Sequence, residues 1–468
     1  MTPKAPAPAA PPVSPTLAAD LREAVTSGRT RSAAWRRAQL DGLTRMLTQN
    51  LSLWERALAT DLGKSADETH VSEVALVLDE ARHARANVGR WMRAKPVVAP
   101  LSLQPALAHV RPEPLGVALI IAPWNYPLQL QLAPVVGALA AGDAVVMKPS
   151  ELAPATAQLL AELAPAYLDE RAVRVVTGGA DVASALLAQR WDHIFYTGGE
   201  RVGRIVAHAA AEHLTPTVLE LGGACPVWVD RTADLAIAAR RIVWAKLLNA
   251  GQTCVAPNHV FVDASVRDAL VAELRAAIAE QHPEPRTSPD YGRMVSQAHL
   301  ERVAERLGDG TAIVGGDVDA ADRYVAPTLL GDVALDAPAV TEETFGPILP
   351  IVPLAGVDAF VALQRERPKP LALYAFGDRS VLDRLERVTT SGAFGRNVAV
   401  AHIMVRGLPF GGVGASGHGA YHGRRSFDLF SHAKAVLAKP THPETLALVF
   451  PPITDGKREV IRRLLLRR

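Results

Sequence analysis

Four short apolar runs, VALIIAP (117–123), AVVMKP (144–149), VRVVTG (173–178) and HIFYTG (193–198), each precede a helix-length segment, near 129–140, 155–166, 181–188 and 200–212. This alternation restricts the fold more than any other feature of the chain. The runs are too short for helices, and being apolar at consecutive positions they need cover on both faces. The segments between them are long enough for crossover helices, so the pattern predicts a doubly wound parallel sheet. In such sheets ligands sit beyond the carboxyl ends of the strands. Three of those ends carry Pro123-Trp124-Asn125-Tyr126-Pro127, Lys148-Pro149-Ser150-Glu151 and Thr197-Gly198-Gly199-Glu200.

A helical preface comes before the series, with Leu17, Leu21 and Val25, then Trp35, Leu40, Leu43 and Leu47, then Val74, Leu78 and Ala81 at helix-like spacings. Pro96 and Pro100 end it, and residues 97–111 read as an extended arm of the kind that pairs with another subunit. After Thr217-Val-Leu-Glu-Leu-Gly-Gly223 a second α/β unit is expected. Its strands lie at Val227-Trp-Val, His259-Val-Phe-Val, Ala312-Ile-Val, Ile348-Leu-Pro-Ile-Val and Leu371–Phe376, and its helices near 233–248, 265–280, 297–308 and 357–365. A Gly-rich stretch, LPFGGVGASGHGAYHG, follows Gly407.

At 468 residues the chain is long enough for two or three domains. Fifty Lys and Arg against 48 Asp and Glu leave a net charge of +2, which gives no field for nucleic acid. Two cysteines, Cys225 and Cys254, make no disulfide framework, so a reducing, cytoplasmic setting is expected. Residues 1–15, rich in Pro and Ala, lack the apolar core of a signal peptide and read as a disordered tail. No uncharged apolar run reaches the roughly 18 residues of a spanning helix. The basic end, 457–468, places Val460, Ile461, Leu464 and Leu465 on one helical face, suited to docking on its own protein or to peripheral contact with an anionic membrane.

Several residues have the chemistry of a site, and each also has a plainer reading. Cys254, in Asn249-Ala-Gly-Gln-Thr-Cys-Val-Ala-Pro257, is a candidate nucleophile or a buried structural thiol. Glu220 interrupts an apolar strand, where burial raises a carboxyl pKa towards a general base; a solvated alternating strand also accommodates it. Asn125, between Trp124 and Tyr126, is a rigid amide able to donate to an oxyanion, or a turn residue. Lys148 and Glu151 suit ribose hydroxyls or form a surface pair. Thr197-Gly198-Gly199 opens a helix towards a phosphate or simply connects two elements. Glu343 precedes a Gly-Pro turn. Gly412, Gly414 and Gly417 formally spell G-x-G-x-x-G, but no strand and helix flank them, so they are no dinucleotide fingerprint. No His, Cys and carboxylate cluster has metal-ligand spacing; His402, His418, His422 and His432 read as loop and interface residues, and no metal is expected.

The order of these motifs is what decides between the readings. Asn125 in PWNYP, Lys148 in KPSE, Gly198 and Gly199 after a strand, Glu220 in LELGG, Cys254 in GQTC, Glu343 in EETFGP and the terminal LPFGGVGASG together resemble the aldehyde dehydrogenase superfamily over roughly residues 16–450. The stretch GHGAYHGRRSFDLFSH (417–432) is similar to the class 3 branch of fatty and aromatic aldehyde dehydrogenases. The resemblance implies oxidation of aromatic or medium-to-long aliphatic aldehydes to acids. Cys254 would be the nucleophile, Asn125 and the Cys254 N–H the oxyanion donors, and Glu220 the base that activates water. For the cofactor it implies Trp124, Lys148, Glu151, Thr197, Gly198 and Gly199, with Glu343 and Phe345 at the nicotinamide ribose and Asn397 in support. The cofactor is NAD by the repulsion Glu151 offers a 2′-phosphate, with NADP as a second option. Ala224-Cys225 departs from a more usual Lys then Ser or Asn, and Arg396 stands at a usually apolar position, either contacting an acidic substrate or a neighbouring carboxylate. The expected division is a disordered tail at 1–15, a dinucleotide-binding domain at 16–219 that includes the 97–111 arm, a catalytic domain at 220–398, and a bridging or oligomerisation segment with a C-terminal helix at 399–468. A homodimer is expected through that arm and the region after 399. The rivals are a CoA-acylating dehydrogenase, which has no need of Glu220 as a base, and a non-catalytic binding or structural protein on the same fold.

Overall fold

The computed structural model describes residues 13–465, so most of the expected 1–15 tail and the last three residues lie outside the described residues. Strands β1 (Lys95–Val97) and β2 (Leu107–Pro114) come first, and the parallel series follows as β3 (Val117–Ile121), β4 (Ala144–Lys148), β5 (Val173–Val175), β6 (His193–Gly198) and β7 (Thr217–Leu221). Every residue of β3 and β4 is buried, as strands covered on both faces require. The crossover helices are Gln129–Ala141, Pro154–Tyr167, Ala180–Leu187 and Glu200–Glu212, close to the expected spans. The helical preface forms as Leu17–Thr26, Ala33–Gln49, Leu51–Leu62 and Ala75–Trp91 and shares one core with this sheet.

The second unit holds β8 (Pro226–Val229), β9 (His259–Asp263), β10 (Thr311–Val314), a ribbon of β11 (Val318–Asp319) and β12 (Tyr324–Val325), then β13 (Thr328–Gly331), β14 (Ile348–Leu354), β15 (Ala372–Phe376) and β16 (Ala393–Arg396). Its sheet has the order β10-β13-β14-β9-β8-β15-β16 and is parallel except for β10. After it come β17 (Gly417–His418) and β18 (Ser431–Ala438). β17 pairs antiparallel with β7, so the first sheet runs β17-β7-β6-β3-β4-β5. Position 219/220, drawn as the boundary between units, falls inside β7, which hydrogen-bonds along its length to β6; the chain turns away only after Leu221.

Two features of this topology place the site. Chain order in the first sheet runs β3, β4, β5 in one direction and β6, β7 in the other, so the switch point lies between β3 and β6, where a crevice opens beyond the strand ends. Asn125 follows β3, and Thr197-Gly198 ends β6 with Gly199 next after it. The arm is a three-stranded antiparallel sheet of β1, β2 and β18, wider than the expected 97–111 and mostly exposed. The helix Asp455–Leu465 lies beside its Leu101–Leu103 turn; the side chains of Leu464 and Leu465 lie outside the described residues.

Candidate active site

Cys254 stands where two cavities meet. One is lined by Trp124, Asn125, Thr197, Glu220, Glu343 and Phe345; the other is apolar, with Val71, Leu76, Tyr126, Trp244, Met404 and Tyr421 in its wall. Leu130, Cys254 and Phe410 belong to both. Of the residues singled out in sequence, Trp124, Asn125, Thr197, Gly198, Gly199, Glu220, Cys254, Glu343 and Phe345 are brought together here.

The loop that carries the thiol explains its own sequence. Asn249, Ala250 and Gly251 take φ of 54°, 51° and 78°, three consecutive left-handed residues that fold the chain sharply back. A Cβ at Gly251 would stand 2.9 Å from Pro347 N and closer still to the Gly346 carbonyl, so no other residue fits. Gln252 is buried and fully engaged: its Nε2 donates to the carbonyls of Asn249 (3.1 Å) and Arg293 (3.0 Å), and its Oε1 accepts from Val295 N (3.0 Å). Thr253 Oγ1 meets the Tyr126 hydroxyl at 2.6 Å. The G-Q-T run is thus one close approach and two anchors that present Cys254 to the cavities.

Asn125 is 2% exposed and its Nδ2 donates one hydrogen to the Gln252 carbonyl at 3.0 Å, which leaves the second N–H for a ligand. Glu220 is also 2% exposed, near the end of β7. Neither of its oxygens has a hydrogen-bond partner; the Gly412 amide approaches without reaching bonding geometry. Burial therefore pushes its carboxyl well above the usual range, only partly opposed by that amide. Burial also raises the Cys254 thiol, with Glu343, Cys225 and Glu220 adding to the effect, so the sulfur is protonated at rest.

Glu343 is half-buried and its carboxyl is raised to about 7, chiefly by desolvation, against the Gly223 N–H, Arg302 and Lys246. Its carboxylate lies against Gly222, where a Cβ would come within 2.9 Å of Cδ. Phe345 meets the Trp124 ring edge-on at 5.4 Å, and His299 meets it at 4.8 Å. His299 and Arg302, one turn apart on the helix Gln297–Glu305, and the apolar cavity wall escaped sequence reasoning, because these segments lie far in sequence from the motifs they meet. Lys246 was also missed: it is buried, its Nζ donates to Thr344 Oγ1 at 3.2 Å, and desolvation lowers it to about 7.

The crevice suits a dinucleotide. The helix Glu200–Glu212 begins at Gly199 with no side-chain cap, so its first amides are free, and a Cβ at Gly199 would meet nothing within 4 Å. Thr197 Oγ1 and Glu343 Oε1, both buried, lack partners beside the same cavity. Lys148 and Glu151 lie at the end of the adjacent strand β4, outside the cavity lining, with Nζ 3.0 Å from Oε2.

Other residues have structural roles. Cys225 is fully buried, donates to the Cys254 carbonyl (3.4 Å) and accepts from Ala372 N (3.3 Å); burial pushes its thiol up to about 12. Arg396 pairs with Asp383 and, at 3.5 Å, with Glu386, the neighbouring-carboxylate alternative. Asn397, at φ 54°, closes on Gly377 through Oδ1 (3.0 Å) and Nδ2 (3.2 Å). His402 and His422 pack on Phe410. Among the described residues no group of three or more His, Cys, Asp or Glu is placed to hold a metal ion.

Comparison with known proteins agrees with this geometry. The sequence matches the family model for the Aldehyde dehydrogenase family over residues 16–436. The chain belongs to the aldehyde dehydrogenase family. As an aldehyde dehydrogenase it catalyses NAD(P)-dependent oxidation of an aldehyde to a carboxylic acid. Its relatives include the human aldehyde dehydrogenase family 3 member B1, 48% identical over 435 residues (92% of this chain, 93% of that one). Aldehyde dehydrogenase family 3 member A2 of Pongo abelii is 43% identical over 451 residues (96% and 93%). Among solved structures, the substrate-bound Staphylococcus aureus AldH has a TM-score of 0.93 at 39% identity, covering 95% of this chain and 98% of its own. The Mycobacterium tuberculosis aldehyde dehydrogenase complexed with NAD+ has a TM-score of 0.82 at 27% identity, covering 91% and 89%.

Proposed function

We propose that this aldehyde dehydrogenase oxidises aromatic or medium-to-long aliphatic aldehydes, with Cys254 as nucleophile, Asn125 and the Cys254 N–H as oxyanion donors, and Glu220 as the base for hydrolysis. The observation that carries this reading is the position of Cys254 between an apolar cavity and a second cavity that holds Glu220 and Asn125. The aldehyde lies along the apolar wall with its carbonyl at the sulfur. The Cys254 thiol gives up its proton to solvent as the sulfur attacks the carbonyl carbon, and the oxyanion of the resulting thiohemiacetal faces the free N–H of Asn125. Thr197, Gly198, Gly199, Trp124, Glu343 and Phe345 would hold NAD+, with Lys148 and Glu151 placed for its adenosine ribose, and the bound cofactor would supply the hydride acceptor. Loss of hydride leaves a thioester on Cys254. Glu220 takes a proton from water, which attacks the thioester and releases the acid, a task suited to a carboxylate whose basicity burial has raised.

Glu151, half-exposed beside Lys148, favours NAD over NADP, the second cofactor option. The division of the chain proposed with this function is a cofactor unit from 16 with its arm, a catalytic unit to 398 and a bridging segment from 399, with the boundary between the first two moved from 219/220 to the turn after Leu221. A homodimer through the arm and the region after 399 is supported by the exposed Val98, Leu101, Leu107 and Leu437. No helix of the described residues is long and apolar enough to cross a membrane, and the free thiols suit a cytoplasmic, reducing setting. Contact of the helix Asp455–Leu465 with anionic lipid is at most peripheral. A panel of aldehydes with NAD, scored by kcat/KM for NADH formation and by identification of the product, tests the reading. Turnover surviving in Cys254→Ala, or acyl-CoA instead of free acid when CoA is added, overturns it.

A further inference from the structure

Behind the Asn125 loop lies a buried ion pair that the chemistry above does not use. Lys64 and Glu73 have fully buried side chains, and Nζ lies 2.5 Å from Oε1. Burying both charges is costly, and an apolar pair of similar volume would be at least as stable, so their contacts need an explanation beyond stability. Lys64 Nζ also donates to the Asn125 backbone carbonyl at 3.0 Å and sits 3.9 Å over the Tyr126 ring. Glu73 Oε2 accepts the N–H groups of Leu128 (3.2 Å) and Gln129 (2.8 Å). These open the helix Gln129–Ala141, whose own N-cap residue, Leu128, supplies no side-chain cap. A π-helical turn, His70–Val74, brings Glu73 to this position.

All of these contacts fall within residues 125–129. The same Asn125 carbonyl accepts from Asn249 Nδ2 at 2.7 Å, and Glu68 Oε1 accepts the Asn249 N–H at 2.8 Å, so the pair, the Asn125 loop and the Cys254 loop form one network. Lys64 and Glu73 line neither cavity.

We propose that the Lys64–Glu73 pair is a positioning device for the oxyanion step: it fixes the Asn125 peptide at one end and the start of the helix at 129 at the other, so that the free Asn125 N–H stays aimed at the oxygen forming above Cys254. The proposal rests on the reading of Asn125 as oxyanion donor. Lys64 and Glu73 touch neither substrate nor cofactor and act only through Asn125.

The test variant is Lys64→Met with Glu73→Gln, which keeps volume, removes both charges and leaves an amide oxygen to cap residues 128 and 129. Stopped-flow NADH bursts with benzaldehyde and NAD are compared for wild type, this variant, Asn125→Ala and the combination of all three. The burst rate constant should fall about 10–100-fold in the Lys64/Glu73 variant, the size expected of a misplaced catalytic group, with both KM values within about threefold of wild type. Asn125→Ala should slow the burst by about 10²–10³. In that background the Lys64/Glu73 change should cost less than about threefold more, because its effect passes through the missing amide. An undiminished burst in the Lys64/Glu73 variant, or a full additional loss in the combination, overturns the positioning role while leaving Asn125 as donor. An undiminished burst in Asn125→Ala overturns the donor reading and the proposal with it. Should the double substitution fail to fold, Glu73→Gln alone is measured in the same two backgrounds, with a smaller loss of about 3–10-fold that again vanishes without Asn125.

Discussion

Substitution of Gly251 by alanine tests whether the loop presenting Cys254 is as tightly determined as the structure indicates. At φ 78° an alanine pays about 1–2 kcal/mol for the left-handed conformation. Its Cβ would also stand 2.9 Å from Pro347 N and closer to the Gly346 carbonyl, both main-chain atoms that cannot swing aside. Overpacking of this kind costs about 1–3 kcal/mol, for a total of about 2–5 kcal/mol. At about 2–4 °C per kcal/mol for a unit of this size, the melting temperature should drop by about 4–20 °C. Relief comes by shifting either residues 249–254 or 345–347, and both segments carry site residues, so kcat should fall about 100-fold even well below the melting point. Gly199→Ala is the control: its φ is −73° and the new Cβ meets nothing within 4 Å, so stability changes by about 1 kcal/mol or less, and the effect appears in the KM for NAD. Circular dichroism melts and initial rates with benzaldehyde suffice. A Gly251→Ala protein that melts within about 1 °C of wild type and turns over normally would refute the reasoning.

Three further outcomes follow from the site. Because burial holds Glu220 above the usual carboxyl range, it is protonated below that raised value and becomes a base only as pH rises through it. Acyl-enzyme hydrolysis, measured apart from the burst, should therefore climb with pH in wild type and be flat and about 10²–10⁴ lower in Glu220→Gln; a wild-type rate independent of pH would count against it. Glu151→Gln should narrow the preference for NAD over NADP by improving the kcat/KM for NADP, and a wild-type NADP preference above about tenfold would contradict the role of Glu151. Arg396→Ala should leave kcat/KM for neutral and acidic aldehydes within about twofold of wild type, since its partners are half-exposed carboxylates outside the cavities; a selective loss with acidic aldehydes would show that it reads substrate charge.

The sequence was most legible where physical constraints act locally. β3, β4, β6 and β15 are buried almost throughout because helices or neighbouring segments cover both faces, so each centres on a consecutive apolar run that stands out. β13 and β16 each offer only two adjacent apolar side chains, Leu329-Leu330 and Ala393-Phe394, and so carry no such run, and the exposed β18 alternates too weakly. The helix Arg379–Val388 went unread because charged residues outnumber its apolar ones. Asn125, Glu220 and Cys254 were accessible through the order of their motifs. Lys64, Glu68 and Glu73 were not, since they are ordinary charged residues of a helical stretch until a π-helical turn and a left-handed loop join them in one network with the Asn125 and Cys254 loops. The apolar cavity is assembled from segments near 71, 126, 244 and 404, with no periodicity linking them.

Covalent capture by Cys254 is the central claim, and trapping the acyl-enzyme examines it most directly. Glu220→Gln mixed with benzaldehyde and NAD, quenched in acid and weighed intact, should gain the mass of one benzoyl group, assigned by peptide mapping to residues 249–257 and absent when Cys254 is also replaced by alanine. An unmodified protein that has nevertheless formed NADH, or a benzoyl group on Cys225, would contradict the account.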